Sequence, residues 1–274
     1  MKELNGRDLA GFIKERQAKA VRGLRQAFGV QPKLAILVTV ENPVIEIYMR
    51  LKQRYGADIL VDVDIHRVQQ GEIIETIKTL NEDASVHGII VQLPLEDPSQ
   101  TSDIVNAVAP NKDVDALGEN ASFDPATPTA ILWLLAGYGV ELKERKVVIL
   151  GRGKLVGEPL EKMLQDSGID ATAFDSSSDG STAAKTADVI ITATGVPGVL
   201  TSEMIPLGAA VVDAGVAVEE GRAVGDLASD VYERDDLKVT PSKGGVGPLT
   251  VCALFENVIK AAKLAAGIDL RTKN

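Results

Sequence analysis

The strongest constraint on this chain is a set of short, unbroken apolar runs rich in branched residues. "KLAILVTV" (33–40), "GIIVQLPL" (88–95), "KVVILG" (146–151), "DVIITAT" (188–194) and "AAVVDAG" (209–215) are each six to eight residues of largely apolar sequence. A strand with one wet face would alternate apolar and polar residues. Continuous runs belong to strands covered on both faces, the condition of a parallel sheet. Helical patterns separate them, at 7–27, 43–55, 71–82 and 156–167, with further strands at 57–65 and 170–175. Strand alternating with helix predicts an α/β protein with parallel sheets. The last 25 residues predict a strong amphipathic helix, about 249–266. Residues 96–128 are richer in Pro, Asp and Asn and read as loop with a short helix near 99–108, and 128–138 reads as a helix between two domains.

The 274 residues suffice for one to two domains. The formal net charge is -10, which argues against nucleic acid and anionic membrane as partners. The single cysteine, Cys252, excludes an internal disulfide and fits a reducing compartment. The N-terminal segment has no apolar h-region and no run nears the roughly 20 residues needed to cross a bilayer. A cytoplasmic protein is expected. His66 and His87 stand singly beside strands, and no set of His, Asp and Glu has metal-ligand spacing, so no metal is expected.

"VVILGRGKLVGEP" (147–159) supplies the first functional cue. A strand enters a turn holding Gly151, Gly153 and Gly157, and a helix leaves it. The first glycine permits a tight turn, the second a close approach to pyrophosphate, and the third close packing of helix on strand. Asp175, ending the next strand, is an acidic group of the kind that holds ribose hydroxyls and favours NAD. Arg152 and Ser176 offer a guanidinium and a hydroxyl to a 2′-phosphate and favour NADP. The two cues conflict.

Upstream, "YMRLK" places Tyr48 and Lys52 four apart, on one helix face. Short-chain dehydrogenases use such a pair, but after the nucleotide loop and not a hundred residues before it. Gln92 is polar at the end of a predicted parallel strand, where ligands of open α/β sheets collect. "PNKDVDALGEN" adds Asp113 and Asp115.

Together these stretches resemble the bifunctional methylenetetrahydrofolate dehydrogenase/cyclohydrolase family. "YMRLK" resembles its Y-x-x-x-K, "GIIVQLPL" its G-I-x-V-Q-L-P-L-P, and "PNKDVDA" its P-x-K-D-V-D-G. "PATPTA" resembles P-C-T-P-x-G, "GRGKLVGEP" resembles G-R-S-x-x-V-G-x-P, and "TPSKGGVGPLT" resembles T-P-V-P-G-G-V-G-P-M-T. The order is kept along nearly the whole chain. The chain departs at Gly153 (family serine), Ala126 (cysteine), Ala116 (glycine), Ser242 and Lys243 (Val-Pro), and Asp175, where the family often has histidine.

The resemblance implies a folate domain, 1–125 plus 249–274, and a Rossmann-like NAD(P) domain, 126–248, with the active-site cleft between them. It implies oxidation of 5,10-methylenetetrahydrofolate with NADP, NAD being the second candidate, then hydrolysis to 10-formyltetrahydrofolate. Lys52 would be the central catalytic group, positioned by Gln92 and Tyr48. Tyr48 would also contact folate, Asp115 would accept from the pterin N–H groups, and Asp113 would hold its loop. Gly245 and Pro248 would lie close to substrate. Gly151, Arg152, Gly153, Ser176, Thr194, Gly195 and Val216 would hold the cofactor. A homodimer and tetrahydrofolate substrates are the expected partners. Two rivals are a dehydrogenase of similar fold on another substrate and a non-catalytic binding paralogue.

Overall fold

The structure is a computed structural model that describes residues 2–219 and 222–270, and residues 271–274, expected in the folate domain, lie outside the described residues. In chain order the elements are β1 (Lys2–Glu3), α1 (Gly6–Phe28), β2 (Lys33–Val38), α2 (Pro43–Asp58), β3 (Asp62–Arg67), α3 (Ile73–Glu82), β4 (Gly88–Val91), α4 (Thr101–Asn106) and α5 (Ala126–Gly137). They continue as β5 (Val147–Leu150), α6 (Gly157–Asp166), β6 (Ala171–Phe174), α7 (Gly180–Ala184), β7 (Val189–Thr192), β8 (Ala210–Asp213), β9 (Ala217–Glu219), β10 (Arg222–Val224), β11 (Lys238–Val239) and α8 (Val246–Ala265). The chain forms two compact units, residues 12–126 with 251–274, and residues 1–11 with 127–250.

The unit of residues 12–126 and 251–274 holds a three-stranded parallel sheet in the order β3-β2-β4. β2 and β4 are buried along almost their whole length, as their continuous apolar sequence requires. Ile73, Ile77 and Leu80 of α3 cover one face with Ala35, Leu37, Ile89 and Val91. Each fully buried aliphatic side chain contributes about 1.5–3 kcal/mol. The strand expected at 57–65 forms later, at Asp62–Arg67. Ala57 and Asp58 complete α2, and Leu60 at φ 66 makes the turn. As an edge strand β3 needs less apolar sequence than its neighbours, so the apolar "ILV" before it misplaced its start.

The other unit holds a six-stranded sheet, β1-β11-β8-β7-β5-β6, whose pairings are all parallel, and a β9-β10 hairpin. Val148, Ile190, Val211 and Val239 from four strands form the centre of its core. The first eleven residues, expected in the folate domain, pack with this unit. β1 is too short to show as a pattern, yet Lys2 N donates to Leu237 O (2.8 Å) and Leu4 N to Val239 O (2.9 Å), and Leu4 is fully buried.

In both units the sheet order reverses beside a central strand. β3 and β4 flank β2, and β6 and β7 flank β5. In open parallel sheets such a reversal leaves a crevice beyond the strands' carboxyl ends, where ligands bind. Among the described residues, no helix is long and apolar enough to cross a membrane.

Candidate active site

In the three-stranded unit the carboxyl ends of β2 and β4 carry the polar groups singled out by sequence. α2 starts at Pro43, whose fixed φ suits the first turn of a helix. Ile45, Met49 and Ile59 bury one face of this segment, and Gly56 lets it close onto Val63 of β3. That packing fixes the row carrying Lys52. Its Nζ donates to Gln92 Oε1 at 3.0 Å. Gln92 follows β4, its N–H donates to Leu37 O (2.9 Å), and its Nε2 donates to Leu93 O (2.8 Å). The second bond fixes which end of the amide faces the lysine.

Burial pushes the Lys52 ammonium below its ordinary pKa, and the nearby Asp115 carboxylate opposes this. Burial likewise raises Asp115, and the Lys52 charge opposes that. A cation and an anion each made less stable by desolvation, and each partly restored by the other, form a pair suited to proton transfer. No described residue hydrogen-bonds the Asp115 carboxyl, so its oxygens remain available. Tyr48, one turn before Lys52, is 45% exposed and its hydroxyl also has no partner among the described residues. Tyr48, Lys52, Gln92 and Asp115 all lie in this unit, with Lys52, Gln92 and Asp115 within electrostatic or hydrogen-bond reach.

The loop bearing Asp115 is held from below. Asp113 is buried and accepts from Gly118 N (2.8 Å) and Leu117 N (3.4 Å). Asn257 of α8 donates to Val114 O (3.0 Å) and Asp124 O (2.9 Å). Ala116 takes φ 57, a left-handed conformation that suits glycine.

In the six-stranded unit the glycine turn joins β5 to α6 at the reversal point. Gly151 has φ 101, and a Cβ there would overlap the Ala193 carbonyl. A Cβ on Gly157 would overlap the Gly151 carbonyl, so the helix can approach the strand only as glycine. Gly153 differs from expectation, since a Cβ there meets nothing within 4 Å. Between these fixed points Arg152, Gly153, Lys154 and Leu155 are exposed. This is a glycine-held turn opening at a helix N-terminus, and it fits the phosphates of a dinucleotide.

Around it, Arg152 Nε donates to Glu161 Oε2 at 3.1 Å, and Glu161 Oε1 accepts from Ala173 N at 2.9 Å. Ser176 is exposed, while Asp175 draws Ser177 and Ser178 into its own turn. Thr194 N donates to Asp226 Oδ2 (2.7 Å), and the ideal Cβ position of Gly195 lies 3.5 Å from Val216 O. Thus Thr194, Gly195 and Val216 share one edge. Gly245 and Pro248 lie in this unit. Gly245 is buried against Gly6 and Thr240, and Pro248 sits in the first turn of α8.

Two carboxylates escaped the sequence reading. Glu161 stands beside Leu160 on the buried face of α6, and an acidic residue at an apolar position was its only signal. Asp226 is fully buried and supports the Thr194 turn, and "VGDL" carries no periodic signal that marks it. Among the described residues no group of His, Cys, Asp and Glu is placed to hold a metal.

Residues 4–115 match the family model described as the catalytic domain of tetrahydrofolate dehydrogenase/cyclohydrolase. Residues 125–266 match the model of its NAD(P)-binding domain. The chain is 34% identical over 275 residues to the bifunctional protein FolD of Exiguobacterium sibiricum, covering 95% of this chain and 99% of that protein. It is similar to the crystal structure of the bifunctional FolD methylenetetrahydrofolate dehydrogenase/cyclohydrolase of Campylobacter jejuni, with TM-score 0.90 and 32% identity over 96% of this chain and 99% of that one. It is also similar to the Trypanosoma brucei methylenetetrahydrofolate dehydrogenase-cyclohydrolase, solved with NADP and an inhibitor, at TM-score 0.88 and 30% identity over 95% and 96% of the two chains.

Proposed function

Since the chain belongs to the tetrahydrofolate dehydrogenase/cyclohydrolase family, we propose that it oxidises 5,10-methylenetetrahydrofolate to 5,10-methenyltetrahydrofolate with NADP and hydrolyses that product to 10-formyltetrahydrofolate. The observation that carries this reading is the Lys52–Gln92 hydrogen bond beside Asp115, with the amine's proton affinity lowered by burial.

The bound nicotinamide ring supplies the acceptor for the hydride. The protein's own task is to hold the pterin and to manage protons. Asp115 has unengaged carboxylate oxygens that can accept from the pterin N–H groups. Tyr48 offers an exposed ring and a free hydroxyl against the folate. The methenyl carbon is already a cationic electrophile, so water needs a base and no metal. Neutral Lys52 Nζ accepts a proton as the water oxygen bonds to that carbon. The carbon–N5 bond then breaks as that proton returns to N5, and the remaining hydroxyl proton is lost to solvent, leaving the neutral formyl group on N10 with net release of one proton. Gln92 accepts from Lys52 through Oε1 alone, so it holds the amine in place without adding a charge. The cofactor is assigned to Gly151, Arg152, Gly153, Ser176, Thr194, Gly195 and Val216, with NAD as the second candidate. Gly245 and Pro248 are retained as substrate neighbours at the start of α8. The reading includes a cytoplasmic homodimer, and sedimentation checks the dimer.

The test is an assay of the purified protein with methylenetetrahydrofolate and NADP. Both the reduced nicotinamide and the methenyl absorbance are followed. Cofactor reduction without accumulation of methenyl product is expected. Accumulation would remove the hydrolytic half of the reading, and no turnover would remove it entirely. In Lys52→Ala, hydrolysis of added methenyltetrahydrofolate should fall by about 10²–10⁴-fold.

A further inference from the structure

The end of β6 carries an arrangement of charge that bears on the choice between the two nicotinamide dinucleotides. Glu161 is nearly buried, its side chain 11% exposed, while the Arg152 side chain is 52% exposed. One carboxylate oxygen is bound to the backbone of β6 at Ala173, and the other holds Arg152 Nε. The guanidinium is therefore tied to the strand by an anion that offsets its charge. Its Nη atoms have no partner among the described residues.

Asp175 lies at the end of the same strand. Its Oδ1 accepts from Ser177 N (2.9 Å), Ser177 Oγ (2.7 Å) and Ser178 Oγ (3.0 Å). Those bonds hold its carboxyl below the ordinary carboxylate range, so it is ionised at neutral pH. They also fix its direction while leaving Oδ2 unengaged. Ser176 alone of the three serines keeps its hydroxyl out of this turn. Lys154, further along the glycine turn, is exposed and has no carboxylate anchoring it.

We propose that Asp175 and Glu161 set the cofactor choice, so that this chain binds the dinucleotide with a free 2′-hydroxyl nearly as well as the 2′-phosphorylated one. This rests on the nucleotide assignment above. A ribose diol donates well to a fixed, ionised carboxylate oxygen, which gives NAD a positive contact. A 2′-phosphate brings two negative charges to the same carboxylate. Its compensation is one guanidinium already partnered by Glu161, the Ser176 hydroxyl, and Lys154 further along the turn. Asp175 is a specificity-determining residue, and Glu161 is a positioning residue that acts through Arg152.

The experiment is isothermal titration of the full chain with NADP and with NAD, without folate. The wild-type dissociation constants should differ by less than about tenfold. Asp175→Ser should tighten NADP by roughly tenfold and weaken NAD severalfold. Glu161→Gln should tighten NADP and leave NAD nearly unchanged, because it removes charge beside Arg152 only. A merely structural Glu161 would shift both cofactors alike, and that result would overturn its role. Wild-type preference for NADP beyond about a hundredfold, or an unmoved ratio in Asp175→Ser, would overturn the proposal. Asp175 is exposed, so its variant tests the idea even if Glu161→Gln fails to fold. Intact dinucleotide binding without folate turnover would instead count against the proposed reaction.

Discussion

Lys52 is subject to two opposing pulls. Burial favours its neutral amine, and Asp115 favours its ammonium. Hydrolysis that uses the neutral amine must speed up as pH rises through the Lys52 pKa. Asp115→Asn removes the charge that raises this pKa, so the rising limb of kcat against pH should move to lower pH. A limb that moved upward, or stayed in place, would mean that another group titrates. Ala116 poses a different residue-scale problem. At φ 57 it pays for a left-handed conformation that glycine adopts freely. Ala116→Gly should therefore hold or raise stability, by up to about 1 kcal/mol, despite the entropy glycine adds to the unfolded chain. Urea unfolding checks this, and a clear loss would show that the turn does not need the conformation. The Lys52–Gln92 contact was legible because one residue lies on a helix row and the other is polar at a strand end. Glu161 was not legible, since a glutamate on a helix normally faces water.

At the scale of elements the glycine turn separates into parts that the sequence treats alike. Gly157→Ala drives a methyl into the Gly151 carbonyl and should cost about 3 kcal/mol. Gly153→Ser meets open space and should change stability by less than about 0.5 kcal/mol. Thermal unfolding of the two variants distinguishes them, and equal losses would show that the turn is mispositioned. The spacing of glycines revealed that a strand enters a helix here, but not which glycine answers to sterics and which to a ligand. Continuous apolar runs such as "KVVILG" located β5, β7 and β8 to within a few residues. β3 was displaced because an edge strand has a weaker pattern than the apolar turn before it. β1 and β11, at two residues each, are specified by pairing with distant strands, and no local periodicity encodes them.

At the scale of the whole molecule each unit has its own sheet and core. Ligand-specific protection follows from this division. NADP should slow amide exchange in 147–157 and 171–178, and a folate should slow it around 48–52, 92 and 113–118. At a ligand concentration of 100 Kd the stabilisation of the ligand-bound fold is about 2.7 kcal/mol. NADP protection confined to the Lys52 segments would reverse the assignment. The apolar alternation made two α/β halves readable. It could not show that residues 1–11 complete the nucleotide unit, because that depends on a pairing across more than two hundred positions. That pairing governs the order in which the molecule can be made. Leu4 leaves a ribosome more than two hundred residues before Val239, to whose carbonyl its N–H donates. The loop at Val114 likewise waits for Asn257. At about 5–20 residues per second, the opening strand spends some ten seconds or longer without its partner. Until β11 emerges, Leu4 lacks the strand it pairs with, so a nascent chain stalled near its middle should expose that side chain and be held by chaperones or degraded.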